Sequence, residues 1–136
     1  MKDLIIQKLN RFFDKRETII LVLLYGSYAR GSQTELSDVD LAVAARTDLS
    51  LDDFLTLRME LSLLFEKEID LVDIRKIDGL LHYKVFTEGF CIKKTENDGK
   101  SLLHKNIMTA LFWYEDYYPL YLRSQKVILK KAFGSV

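Results

Sequence analysis

Apolar and polar positions along the chain switch period several times. Leu4, Ile5, Leu9, Phe12 and Phe13 recur at helical spacing, which predicts an amphipathic helix over residues 3–16. Thr18 to Tyr25 is then a continuous, partly β-branched apolar run stopped by Gly26, the pattern of a buried strand. Residues 31–37 are loop chemistry, rich in Gly, Ser, Thr and Gln. From Asp38 to Ala45 the chain alternates, with Val39, Leu41 and Val43 on one face and Asp38, Asp40 and Ala42 on the other. A second helix is predicted over residues 50–66, with Phe54, Leu57, Leu61, Leu64 and Phe65 along one side and Ser50 as its N-cap. Asp52 and Asp53 in its first turn favour the positive end of the dipole.

Glu68 to Ile74 reads as a third strand, residues 78–88 as a shorter helix ending at Gly89, and Phe90 to Lys93 as a short edge-like strand. Asn97-Asp98-Gly99 marks a turn, and residues 100–131 a long helical stretch interrupted near Pro119. This order predicts an α+β fold: one small mixed sheet packed with helices, followed by a C-terminal helical segment. The linkers are short, without internal repeat or low-complexity segment, so residues 1–136 read as one domain with a core over about 18–93.

Composition narrows the function classes. Twenty basic and 20 acidic residues give a formal net charge of zero, so bulk attraction to nucleic acid is not expected. A single cysteine, Cys91, excludes an internal disulfide and a cysteine zinc cluster; in a short strand it reads as a small buried residue. No apolar run approaches the roughly 18 residues of a membrane span, and the polar start after Met1 lacks a signal-peptide core. A cytoplasmic protein is expected.

The chemistry concentrates in residues 26–40. A Gly26-Ser27 turn leaving a strand can present backbone N–H groups and a hydroxyl to phosphate. Asp38 and Asp40, one residue apart, can share a face and hold a divalent cation. Anion cradle and cation site together point to nucleoside triphosphate chemistry. A third carboxylate is expected from a neighbouring strand, and Asp70, between apolar residues, fits best because a charge there needs compensation. Asp73 is the alternative, on the other face of the same strand. The three aspartates would form a two-metal site, with Asp70 contacting the attacking hydroxyl as general base. Ser27 would bond a phosphate oxygen, Gly26 would allow close backbone approach, and Arg30 would offset charge on leaving pyrophosphate. Hard-ligand chemistry favours magnesium, and manganese fits as well.

Gly26-Ser27, then Gly31, then Asp38-x-Asp40 resembles the signature of the DNA polymerase β-like nucleotidyltransferase superfamily. The short chain, the Gly-Ser-x-Ala-Arg-Gly form and Ile69-Asp70-Leu71-Val72 are similar to its minimal nucleotidyltransferase (MNT) branch, over about residues 18–93. That resemblance implies a small polymerase β-like fold. It also implies an antitoxin that transfers AMP from ATP to a tyrosine of a HEPN ribonuclease toxin. By position, Gly26 and Ser27 would bind triphosphate, and Asp38, Asp40 and Asp70 metal. Tyr28 departs from the branch, where a charged or polar residue is common.

Other features have ordinary readings. His82 and His104 read as helix-surface residues. The spacing of Arg75 to His82-Tyr83 is taken as coincidence with the Arg-to-His spacing of HEPN nucleases, which are all-helical. Leu103, Ile107, Leu111, Tyr114 and Tyr118 follow helical spacing and are expected in the core, with Trp113, Tyr117 and Tyr121 to one side as a partner-binding face. Arg123, Lys126, Lys130 and Lys131 read as a solvated helix end, or a contact for phosphates, an acidic partner or RNA. Two further functions compete with AMP transfer: neutralisation by binding alone, and transfer to a small molecule as in aminoglycoside-type enzymes.

Overall fold

A computed structural model of the chain describes residues 2–133; Met1 and residues 134–136 of the one-domain reading lie outside it. Helix α1 (Lys2–Asp14) leads into β1 (Ile19–Tyr25), a one-turn helix α2 (Gly26–Arg30) and β2 (Val39–Ala45). Helix α3 (Leu51–Phe65), β3 (Ile69–Asp73), a 3-10 turn (Ile74–Lys76), α4 (Gly79–Glu88) and β4 (Phe90–Lys94) follow. Helices α5 (Asp98–Asp116) and α6 (Tyr118–Phe133) close the described chain.

The sheet order is β3-β2-β1-β4. Strand β1 runs antiparallel to both neighbours, and β2 pairs with β3 in parallel, with α3 as the connection between them. All seven residues of β1 are buried, as its unbroken apolar run requires of a central strand. One face carries Val22, Leu24, Val39, Leu41 and Val43 against α1 and α3, through Leu9, Phe13, Leu57 and Leu61. The other carries Leu21, Leu23, Ala42 and Ala44 against α4 and α5, through Val85, Phe86 and Ala110. The fold is the mixed α+β arrangement that the periodicity predicts. Ser50 caps α3 as expected, its Oγ accepting from the Asp53 N–H at 3.1 Å.

Two local readings are corrected. Gly26 to Arg30 is a turn of helix, stopped by Gly31 in the left-handed conformation at φ 75°. The Asn97-Asp98-Gly99 segment opens α5 and is not a free turn: the Gly99 N–H donates to Thr95 Oγ1 at 2.9 Å. A Cβ on Gly99 would collide with the Ile20 carbonyl, so glycine lets α5 start directly against β1. The long helical stretch is interrupted near Pro119 as expected, at Tyr117, because Pro119 has no N–H for the carbonyl four residues earlier. Helical bonds still bridge the break, Tyr117 N–H to the Trp113 carbonyl and Tyr121 N–H to the Tyr117 carbonyl, both 2.9 Å.

Candidate active site

The antiparallel turn from β1 to β2 and the parallel return to β3 bring three segments to one end of the sheet. Tyr25, last in β1, is the register partner of Asp40, and Asp40 is the partner of Asp70. Asp40 and Asp70 are each second in their strand. Parallel pairing therefore sets two carboxylates abreast on the edge of the fold. Asp70 alternates outward between buried Ile69 and Leu71, so its charge is exposed and not enclosed in apolar surroundings as its sequence context suggested. Asp38 lies in the loop just before β2 and is also exposed.

Asp40 shows what this crowding does. Burial first, then the charge of Asp70 and a hydrogen bond with it, then the charge of Asp38, raise its pKa from 3.8 to about 6; Arg30 pulls the other way. Tyr25 responds in the same sense: burial and the charges of Asp70 and Asp40 push its phenol upward, so it stays protonated beside them. Sequence reasoning placed Tyr25 as the end of a hydrophobic strand and missed this neighbour. Its position immediately before Gly26 was the available signal.

Gly26 is bound tightly into the group. It has φ 70°, and a Cβ built on it would fall on the Asp40 carboxylate, so this position admits only glycine without rearrangement. Helix α2 behind it is anchored by Tyr28, which is fully buried against the α1/α3 face of the sheet. The departure at Tyr28 is thus a core residue of the fold, although its hydroxyl finds no hydrogen-bond partner. Arg30 is exposed and faces Glu88 at the end of α4 across 3.6 Å. The loop carrying Asp38 is fixed by Thr34 and Ser37, Thr34 N–H donating to Ser37 Oγ at 2.8 Å, and by Lys67, whose Nζ donates to the Glu35 carbonyl at 2.7 Å. Neither Glu88 nor Lys67 was singled out from sequence, since only the folded chain brings them near.

The donor set fits a divalent cation. Asp40 and Asp70 stand abreast, and the pKa of Asp40 is raised first by burial and then by the charges of Asp70 and Asp38, which a hard cation would relieve. Among the described residues no group of three or more His, Cys, Asp or Glu side chains is placed to hold a metal ion as it stands. Asp40 and Asp70 are the adjacent pair, and Asp38 contributes from the loop. Asp73, the alternative ligand, is removed from the group: it is buried, and its Oδ1 accepts the Arg75 N–H at 3.0 Å to cap the 3-10 turn.

The model of the family described as polymerase beta, nucleotidyltransferase matches residues 7–98. The chain belongs to that nucleotidyltransferase family. Within it, the chain is 33% identical over 87 residues to the protein adenylyltransferase MntA of Shewanella oneidensis. That match covers 64% of this chain and 63% of the MntA protein. A putative protein adenylyltransferase of Methanocaldococcus jannaschii is 37% identical over 65 residues, 48% of this chain and 70% of that one. Among solved structures, a toxin–antitoxin complex with AMP-PNP matches with TM-score 0.71 and 26% identity, over 88% of this chain and 98% of the other. A tri-AMPylated Shewanella oneidensis HEPN toxin in complex with an MNT antitoxin shares the fold, at TM-score 0.67, 24% identity and 92% and 99% coverage.

The remaining expectations divide. His104 is exposed as expected, whereas His82 is not a surface residue: it is 5% exposed, with Nε2 2.8 Å from Asn106 Oδ1. The Asn106 amide N–H donates to the Leu102 carbonyl at 2.8 Å, which turns Oδ1 toward the ring and makes His82 Nε2 the donor. His82 and Asn106 line a cavity of about 350 Å³ between α4 and α5, which none of Gly26, Ser27, Asp38, Asp40 or Asp70 lines. Leu111 and Tyr114 are corrected too: they are exposed, because α5 outruns the sheet beyond Ala110. Cys91 is half-buried, and no described helix is long and apolar enough to cross a membrane.

Proposed function

We propose that this protein is an adenylyltransferase antitoxin, which transfers AMP from ATP to a tyrosine of a HEPN-type ribonuclease partner and so neutralises it. The observation that carries the reading is the placement of Asp40 and Asp70 abreast, against the glycine that leads Ser27 into α2. The similarity to adenylyltransferases and to toxin–antitoxin complexes supports the choice of acceptor.

In this mechanism the α2 backbone and the Ser27 hydroxyl receive the triphosphate, and Gly26 keeps the approach open. Asp38, Asp40 and Asp70 would hold one or two divalent cations, magnesium or manganese, which supply charge neutralisation at the phosphates when bound. Asp70, the exposed carboxylate of the pair, takes the proton of the tyrosine hydroxyl. The tyrosine oxygen bonds to the α-phosphorus, the bond to the β-phosphate oxygen breaks, and pyrophosphate leaves with Arg30 beside it. Arg30 must exchange Glu88 for the phosphate, an easy exchange for an exposed pair. In this reading the protein acts in the cytoplasm, and its chemistry calls for no direct contact with nucleic acid.

The test is transfer of label from ATP marked at the α-phosphate to the purified HEPN protein of the same host, with Asp38→Ala/Asp40→Ala alongside. Label on a tyrosine, lost in the variant, is the expected result. Neutralisation by the variant without label would replace the reading with a binding-only antitoxin. Label on an aminoglycoside, with none on protein, would replace it with a small-molecule transferase.

A further inference from the structure

Helix α6 has almost no core of its own. Every described side chain from Pro119 to Ala132 is exposed, including Leu120, Leu122, Val127, Ile128 and Leu129. A helix of this length is marginal in water without tertiary packing, and contiguous exposed apolar surface of this kind marks an interaction site. Leu120 and Val127 lie on one side of the helix, and the other apolar residues are ordered on the opposite side. Tyr118, Tyr121, Leu122, Ile128 and Leu129 follow helical spacing, and the strip continues back through Tyr114 and Leu111 on α5. The rings of Tyr114, Tyr118 and Tyr121 stack in sequence at 5.1 and 6.1 Å, so the strip passes unbroken over the Pro119 interruption. Beside it, Arg123, Lys126 and Lys130 form a row at i, i+3 and i+7, and α6 contains no acidic residue.

We propose that this strip, from Leu111 to Leu129, is the arm that seats the protein partner: a helical protein presenting an apolar groove with an acidic rim. The row of three cations argues for that occupant. Two copies of the arm laid together would oppose like charges, whereas an acidic rim satisfies them and sets the register of the helix in its groove. Tyrosines 114, 118 and 121 are the anchoring aromatics. The partner's identity rests on the adenylyl-transfer reading; the surface does not. Held by the arm, the partner would be bound independently of the nucleotide, since α6 lies outside the carboxylate site.

The experiment measures calorimetric affinity of the full chain for the purified HEPN protein of the same host, at low and high salt. It compares the wild type with Arg123→Glu/Lys126→Glu/Lys130→Glu and with Leu122→Asp/Ile128→Asp. Helicity and ATP binding serve as controls, and α-labelled AMP transfer is followed in parallel. Both variants are expected to weaken Kd by about 30-fold or more with ATP binding intact, the charge variant losing the salt dependence. Unchanged affinity in both variants would overturn the inference, as would failure of the wild type to bind. So would wild-type self-association through the strip with partner affinity unaffected. Loss of binding in the variants with no label passing even from the wild type would keep the arm and remove the transfer reading. Equal labelling and equal affinity for all three proteins would do the reverse.

Discussion

Asp40 and Asp70 are register partners in the parallel pairing of β2 with β3, and burial, reinforced by the charge of Asp70, raises the pKa of Asp40 to about 6. Such a pair is poorly tolerated without a cation. It is kept in place by strands whose apolar faces are fully buried, so the sheet supplies the stability that the site itself lacks.

That relation has a pH signature in the metal-free protein. The folded-state pKa of Asp40, about 6, lies above its ordinary 3.8, so the folded chain holds a proton that the unfolded chain has released. The associated stability is present below about pH 4 and lost as pH rises toward 6. Asp70→Asn removes a neighbouring charge and should raise the thermal midpoint above pH 6 but not near pH 4. The gain is on the order of 1 kcal/mol, because solvent screens this partly exposed pair. Thermal denaturation with a chelator present checks it. Magnesium should raise the midpoint of the wild type more than that of Asp70→Asn.

Gly26→Ala should damage both folding and chemistry. It forces a side chain to φ 70° and drives its Cβ into the Asp40 carboxylate. The expected destabilisation is about 1–3 kcal/mol, and displacement of Asp40 should lower AMP transfer by roughly 100-fold. Chemical denaturation and single-turnover labelling would report the two losses separately.

At Tyr28 the ring matters and the hydroxyl does not. Tyr28→Phe removes a buried oxygen that has no partner, so stability should stay within about 1 kcal/mol of the wild type or rise. Tyr28→Ala empties a fully buried site behind α2 and should cost about 3–5 kcal/mol. Urea titrations of the two variants decide this, with the phenylalanine variant retaining transfer activity.

His82→Leu should weaken the α4–α5 contact without touching catalysis. It leaves Asn106 Oδ1 without its donor, at a cost of about 1–3 kcal/mol. The rate of AMP transfer at saturating ATP should match the wild type, because the carboxylates stand apart from this cavity. A fall in rate with unchanged stability would show that the cavity communicates with the site.

The elements themselves were legible in the sequence, since apolar period 2, period 3.6 and continuous runs report burial directly. Thr18 to Tyr25 reads as a buried strand and residues 50–66 as a helix, capped at Ser50, because those signals are local. So was the candidate carboxylate set, through its spacing and its resemblance to a known signature. Tertiary structure alone decided which strand runs beside which, and thereby that Asp70 stands next to Asp40 while Asp73 turns inward to cap a backbone N–H. It alone decided that Tyr28 and His82 are buried while Leu111 and Tyr114 are exposed. Helical spacing shows that residues share a face. Whether anything covers that face depends on the length of the sheet beneath it, and here the sheet ends before the helix does.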